Sequence, residues 1–243
     1  MKGVILAGGG GSRLRPASNV TNKILLPVYN KPMIFYPLEA MTKAGFKQLM
    51  IVAGKEHAGH FLNLLGSGEQ FGIRLFFVVQ EERRGIAHAL SLCEDYVGDD
   101  KVVVMLGDNI FGEDITPYVR EFEQQNDSAR LLLTEHTEPH RFGVAEITDG
   151  KLINIEEKPA SPKSNLIVTG LYMYPAGVFS VIKTLTPSAR GEYEITDVNN
   201  HYVKSGRAQC SIIKGFWSDA GTPESLFRAS EHIRRHATTN TRI

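Results

Sequence analysis

Short unbroken apolar runs rich in Val, Ile and Leu recur through the first half of the chain, at Gly3 to Ala7, Gln48 to Ala53, Arg74 to Val79 and Lys101 to Leu106. Runs of this length without polar alternation predict strands buried on both faces. Between them, Met33 to Ala44, Glu56 to Leu65 and Ile86 to Tyr96 carry apolar residues at helical spacing, and Gly45 stands where a helix C-terminus favours glycine. Strand and helix in alternation predict a doubly wound α/β sheet with right-handed crossovers.

After a further predicted helix at Ile115 to Gln125 the pattern changes. Leu131 to Thr134, Val144 to Ile147, Leu152 to Ile155 and Leu166 to Tyr174 read as strands, with Asp149-Gly150 as a hairpin turn between the second and third. Ala176 to Leu185 and Ile195 to Ser205 read as helices and Ala208 to Lys214 as a strand. A last helix runs to about His236, with Thr222 as its cap and Pro223 at its first position. No repeat, charge block or low-complexity linker divides the chain, so one domain with a mixed second half is expected over residues 1–243.

Composition narrows the partners. A chain of 243 residues with 42% hydrophobic and 22% charged content can bury one large core. Lys plus Arg equals Asp plus Glu at 27 each, so there is no global basic field of the kind that binds nucleic acid, and any phosphate recognition must be local. Cys93 and Cys210 lie far apart and form no CxxC pair, which argues against a disulfide framework or a zinc site and for a reducing compartment. The opening apolar stretch is too short for a signal h-region or a spanning helix, so a cytoplasmic protein without membrane association is expected.

Candidate chemistry begins at Gly8-Gly9-Gly10-Gly11-Ser12-Arg13-Leu14-Arg15-Pro16, directly after the first strand, at the end where open α/β sheets bind ligands. Glycines let backbone amides approach an anion and the arginines add charge, although a tight strand exit would also use glycine. The run is not GxxxxGK[ST], and Arg13 stands where a dinucleotide fold needs its third glycine; the acidic ribose partner expected about 20 residues on is missing too, which disfavours a dehydrogenase. Asp108 follows a buried strand and suits either a cation ligand or an Asx turn with Gly107. Asp219 lies past another strand, between Trp217 and Gly221. Gln80 offers an amide donor and acceptor that match the edge of thymine or uracil. Glu157 and Lys158 suit a charged strand edge, Arg190 a surface loop, and Lys23 alone a surface lysine. His57 with His60, and His232 with His236, sit at helical spacing without a carboxylate-rich motif and are expected on solvated helix faces.

Taken together, Gly8 to Leu14, Lys23 to Pro27 and Lys31 to Met33 resemble the signature of the sugar-nucleotide pyrophosphorylases, the hexose-1-phosphate nucleotidylyltransferases. The resemblance continues through Val79-Gln80, Gly85-Ile86-Ala87, Leu106 to Gly112, Arg141 to Val144, Glu156 to Pro159, Thr169 to Tyr172, Arg190 to Asp197 and Trp217 to Thr222, covering Lys2 to about Ser225. Ser12 stands where threonine is usual, and Ile24 where Gln commonly follows the lysine.

The resemblance implies a Rossmann-like doubly wound mixed α/β sheet with a smaller β-rich sugar-binding insertion: residues 1–128 mainly for nucleotide, 129–221 mainly for sugar, and 222–243 as a C-terminal helix. It is strongest to the branch that uses dTTP and glucose 1-phosphate, with Mg²⁺ as cofactor and a homo-oligomer, dimer or tetramer, as the assembly. It assigns Gly8, Gly9, Gly11, Ser12, Gln80, Gly85 and Asp108 to the nucleotide. Asn109, Gly143, Glu157, Lys158, Val168, Gly170, Tyr172, Arg190 and Trp217 are implied for the sugar phosphate, Arg13, Lys23 and Lys158 for catalysis, and Asp108 with Asp219 for the metal. A non-catalytic sugar-nucleotide sensor on the same fold would be expected to lack the charged set, and this chain keeps it.

Overall fold

The computed structural model describes residues 1–237. Strand β1 (Lys2–Ala7) leads through the glycine run into two short strands, β2 (Pro27–Val28) and β3 (Lys31–Pro32), and then into α1 (Phe35–Lys43). The units β4 (Gln48–Gly54), α2 (Ala58–Leu65), β5 (Arg74–Gln80), α3 (Ile86–Ser91), α4 (Glu94–Val97) and β6 (Val102–Leu106) follow, and β7 (Ile110–Phe111) and α5 (Thr116–Gln124) close the first half. The second half is β8 (Ala129–Glu135), β9 (Gly143–Thr148), β10 (Lys151–Glu157), β11 (Leu166–Tyr174), α6 (Val178–Ile182), α7 (Ile195–Lys204), β12 (Ala208–Ile212), β13 (Trp217–Ser218) and α8 (Pro223–Ala237). Residues 238–243 of the expected C-terminal segment lie outside the described residues.

One mixed sheet runs through both halves in the order β10-β9-β11-β6-β1-β4-β5, with β8 pairing β11 and β12. β1 is parallel to β4 on one side and to β6 on the other, whereas β11 runs antiparallel to β6. The chain fills the sheet outward from β1 through β4 to β5 and then returns to β6. The strand order therefore reverses at β1 and β6, and a crevice opens outside their carboxyl ends. Both exits carry candidate chemistry, Gly8 onward from β1 and Asp108 from β6.

Alternation along the buried strands divides the apolar side chains between two cores. Val4, Leu6, Val102 and Val104 face the layer holding Ala89, Val178 and Val198, while Ile5, Ala7, Val103 and Met105 face the layer holding Leu38, Phe61 and Val119. A strand sandwiched in this way reads as a continuous apolar run, which is why the parallel strands are plain in the sequence.

The departures from the sequence reading are confined to a few elements. The helix expected over Ile86 to Tyr96 is two short helices broken at Leu92 and Cys93, and the one expected over Ala176 to Leu185 is only Val178–Ile182, entered through Gly177 at φ 87°. β8 starts two residues earlier than expected, where Ala129 and Arg130 pair with Ala208 and Gln209 of β12, and the buried Arg130 side chain is met by Glu121 at 2.8 Å and Ser211 at 2.6 Å. The Asp149-Gly150 turn has positive φ at both residues, 50° and 73°, as a tight hairpin turn requires. Thr222 caps α8 as expected: its Oγ1 accepts from Ser225 N, and Ser225 Oγ accepts in return from Thr222 N. Two histidines leave the expected solvated faces. His57 buries its Nδ1, and the His232 ring stacks on Phe216 at 4.0 Å between centroids.

Tyr174, at the end of β11, is fully buried and donates its hydroxyl to Asn199 Oδ1 at 2.6 Å, tying the sheet to α7. Tyr174→Phe leaves that buried acceptor unmet. It is expected to lower unfolding free energy by about 1–3 kcal/mol, read as a lower urea midpoint at unchanged slope.

Candidate active site

The glycine run leaves β1 as an open loop, with Gly11 in the left-handed region at φ 64° ahead of a single 3₁₀ turn over Ser12–Leu14. Its shape is held from below by Asn22, which is buried. Asn22 Nδ2 donates to the carbonyls of Ala7 and Gly9 at 3.3 and 3.4 Å, while its Oδ1 accepts from Ile24 N at 2.9 Å and caps the 3₁₀ turn over Lys23–Leu25. One carboxamide therefore fixes both the glycine loop and the turn that carries Lys23. Ile24 is buried against Gly107, where any side chain larger than hydrogen would press on it.

Lys23 is no surface lysine. Its ammonium is mostly buried and makes a close ion pair with Asp108 Oδ2, whose carboxylate partner atom Oδ1 accepts from Asn109 Nδ2 at 2.8 Å. Asn109 Oδ1 in turn accepts from Gly170 N and from Trp217 Nε1, both at 2.8 Å. The pairing of β11 with β8 shifts register between Val168 and Tyr172, which frees the Gly170 amide for this bond. A Cβ at Gly170 would stand 2.6 Å from the Asn109 carboxamide, so only glycine fits. The indole N–H of Trp217 is thereby committed to Asn109, and its ring packs at steep angles with Phe142 and His136, 5.5 and 6.2 Å between centroids.

Asp219 follows β13 and is also largely buried. Its Oδ2 faces two guanidinium groups, Arg13 at 3.5 Å and Arg141 at 3.7 Å, and Oδ1 accepts from Gly221 N at 3.4 Å. Glu157 closes β10 and takes Lys158 Nζ at 3.1 Å and Arg190 at 3.4 Å on Oε1, with the Thr196 hydroxyl donating to Oε2. Lys158 itself has φ 45°, an uncommon state for a non-glycine residue, fixed by its amide donating to Phe142 O at 2.9 Å. Arg190 is clamped through two nitrogens on Glu194.

These groups line two adjoining pockets. The first holds Gly8, Gly9, Lys23, Gln80, Gly85 and Asp108; the second holds Arg13, Gly143, Glu157, Val168, Tyr172 and Asp219, along with Asn109, Lys158, Gly170, Arg190 and Trp217. Ile86, Leu106, Asp108 and Glu192 belong to both. Gly11 and Ser12 stand just outside these linings, in the loop itself. Burial pushes the Tyr172 hydroxyl far above its ordinary range, so it stays protonated.

Asp108 and Asp219 offer carboxylate oxygens in one pocket. Mg²⁺ is commonly held by one or two carboxylates with water and substrate phosphates, so this donor set fits it. Among the described residues no group of three or more His, Cys, Asp or Glu could hold a metal alone, and the phosphates would have to complete the coordination.

Several residues escaped the sequence reading. Arg141 buries one guanidinium nitrogen without a hydrogen bond and turns it to Asp219. Arg83 lines the glycine-loop pocket beside Gly10, paired with Glu56. Thr196 and Glu194 hold Glu157 and Arg190. Arg141 and Glu194 fall inside the matching segments and could have been singled out there; Arg83 carries no such signal.

The family described as nucleotidyl transferase matches residues 2–236. Among individual proteins, the glucose-1-phosphate thymidylyltransferase of Neisseria meningitidis is 42% identical over 238 residues, 96% of this chain and 83% of that protein. The protein of the same name from Mycolicibacterium smegmatis is 41% identical over 238 residues, 96% of this chain and 82% of that one. A solved Bacillus anthracis structure, assigned as a glucose-1-phosphate thymidylyltransferase in complex with sucrose, is similar with a TM-score of 0.93 at 53% identity, covering 96% of this chain and 95% of that chain. With the family model matching residues 2–236, relatives about 40% identical over 96% of the chain and a solved structure of the same fold at 53% identity, the chain belongs to the nucleotidyl transferase family.

Proposed function

We propose that this chain transfers a thymidylyl group from dTTP to α-D-glucose 1-phosphate, giving dTDP-glucose and pyrophosphate. The observation that carries the reading is the pair of adjoining pockets that share Asp108, one walled by the glycine loop and Gln80, the other by Glu157, Lys158, Arg190 and Trp217. Two ligands seated there would meet at Asp108. The proposal includes Mg²⁺, a cytoplasmic location and a homo-oligomer, dimer or tetramer. Among the described residues no helix is long and apolar enough to cross a membrane.

In the proposed reaction a phosphate oxygen of the sugar phosphate attacks the α-phosphorus of dTTP. The new oxygen–phosphorus bond forms as the bond to the bridging oxygen of the β-phosphate breaks in line, and pyrophosphate carries away the electron pair. The second pKa of a phosphate monoester is about 6, so the nucleophile is already ionised at neutral pH and no general base is needed. The difficulty is bringing two polyanions together: like charges about 4 Å apart repel by ~4 kcal/mol at a protein surface. Gly8, Gly9, Gly11 and Ser12 would present backbone donors to the triphosphate, Arg13 and Lys23 would offset charge on the departing pyrophosphate, and Lys158 and Arg190 would hold the nucleophile. Gln80 and the Gly85 backbone would read the base. Gly143, Val168, Gly170 and Tyr172 would shape the sugar pocket.

Each carboxylate of the site is already met by a cation, Asp108 by Lys23, Asp219 by Arg13 and Arg141, and Glu157 by Lys158 and Arg190. A divalent cation, when bound, supplies positive charge to the phosphates and to Asp108 and Asp219. Lys23 and Arg13, which rest on those carboxylates, are the cations of this chain that would bind phosphate.

The first test is Mg²⁺-dependent pyrophosphate release from a panel of nucleoside triphosphates crossed with hexose 1-phosphates. Release with dTTP and glucose 1-phosphate, stopped by chelation and by Asp108→Asn, is expected; no release with any pair would remove the reading. Within that assay Lys158→Ala should raise the KM for glucose 1-phosphate by roughly 10- to 150-fold, the equivalent of one charge-assisted hydrogen bond, with a much smaller change for dTTP. An effect confined to dTTP would reassign Lys158 to the triphosphate.

A further inference from the structure

Gln80 ends β5 on the floor of the glycine-loop pocket, and its carboxamide is oriented by a neighbour that no part of the proposed reaction uses. Gln80 Nε2 lies 3.3 Å from His88 Nδ1. Its Oε1 rests against Gly8, so closely that a side chain there would collide with it. Among the described residues Oε1 receives no hydrogen bond, and it is not among the buried unmet atoms, so it keeps an open lone pair at the pocket.

The His88 ring is held from the other side. It stacks on Tyr193 at 6.2 Å and 26°, and the same ring of Tyr193 is covered by the Arg84 guanidinium at 5.1 Å. Tyr193 is fixed through its backbone, its N–H donating to Arg84 O at 2.8 Å and its carbonyl accepting from Ala87 N at 3.2 Å. That carbonyl passes so near Gly85 that a Cβ there would stand 2.5 Å from it. Partial burial, then repulsion by Arg84, lowers the His88 pKa below the ordinary imidazole value, against an opposing pull from Glu82. The ring is therefore neutral at physiological pH. In the tautomer that carries the proton on Nε2, its Nδ1 accepts one N–H of the Gln80 amide, the arrangement that the 3.3 Å contact to Nε2 of Gln80 requires.

We infer that His88 is a positioning residue for base selection, fixing the Gln80 carboxamide so that its oxygen faces the base and favours a thymine or uracil edge over cytosine. The inference rests on the reading above in which the Gln80 pocket takes the base. Thymine and uracil present a ring N–H beside a carbonyl; cytosine presents a bare ring nitrogen beside an amino group. An amide whose oxygen faces the ring position accepts from the first and repels the second. Were Nδ1 protonated, it would claim the amide oxygen, and the turned amide would present N–H to the base, the match for cytosine.

The test is equilibrium binding of dTTP, UTP and dCTP by calorimetry to the intact protein, wild type, His88→Leu and His88→Gln, between pH 5 and 8. Comparing ratios between nucleotides cancels the titration of the triphosphate itself. The preference for dTTP over dCTP should fall about tenfold in His88→Leu, the scale of one lost bidentate base contact, and stay near wild type in His88→Gln, whose amide oxygen restores an acceptor. Wild-type preference should decline as pH falls below the ordinary imidazole value of about 6.5, where the acceptor is lost, and the His88→Gln preference should stay level. A preference unchanged in His88→Leu, or a wild-type preference flat with pH, would overturn this inference alone. No binding of dTTP or UTP by the wild type would overturn the base-pocket reading as well. Should His88→Leu fail to fold, the wild-type and His88→Gln pH profiles decide the question.

Discussion

Everything in this fold is arranged around β1 and its parallel pairing with β4 on one side and β6 on the other. A central strand buried on both faces does not tolerate polar side chains along its length, so the polar groups it carries appear only at its ends. β1 stops at Ala7 and β6 at Leu106, side by side, and the chain leaves both through small residues into the same crevice. The register of that one strand pair sets the glycine loop beside Asp108.

A second constraint joins the halves. Asn109 uses one carboxamide to bind Asp108, Gly170 and Trp217, residues from the exit of β6, from β11 and from β13. Three segments far apart in sequence are pinned within a few ångströms by a group with no charge of its own. A neutral hub costs less to bury than an ionised one, and once all its bonds are made it is rigid. The charges sit one step further out, where they can exchange partners. Lys23, Arg13, Arg141, Lys158 and Arg190 all rest on carboxylates, so the crevice is close to neutral before any phosphate enters and need not sustain an uncompensated cluster of like charge.

Much of the scaffold was legible along the chain because burial on two faces writes an uninterrupted apolar run, and the Asp149-Gly150 turn and the Thr222 cap write their own signatures. Elements held by tertiary pairing alone were not. The two-residue strands β2, β3, β7 and β13 are too short to carry a period, and the breaks at Leu92 and Gly177 depend on what the helices pack against. Lys23 illustrates the same limit within the site: by itself a lysine after polar residues reads as solvated, and only the resemblance of the surrounding segments raised it. Its partner, Asp108, lies 85 residues away.

Residue type and order along the chain, then, were enough to give the α/β class, the glycine loop as an anion-binding candidate and the family resemblance, since each is carried by short segments whose spacing and succession can be read without knowing what they touch. Which carboxylate meets which cation was set by folding, because ion pairs and hydrogen bonds act over a few ångströms and join residues that sequence separates. Arg141 facing Asp219, Arg83 beside Gly10 and His88 against Gln80 are of this kind. The chemistry of each side chain is written in the sequence; its partner, and hence the state in which it works, is supplied by the packing of β1, β6 and β11.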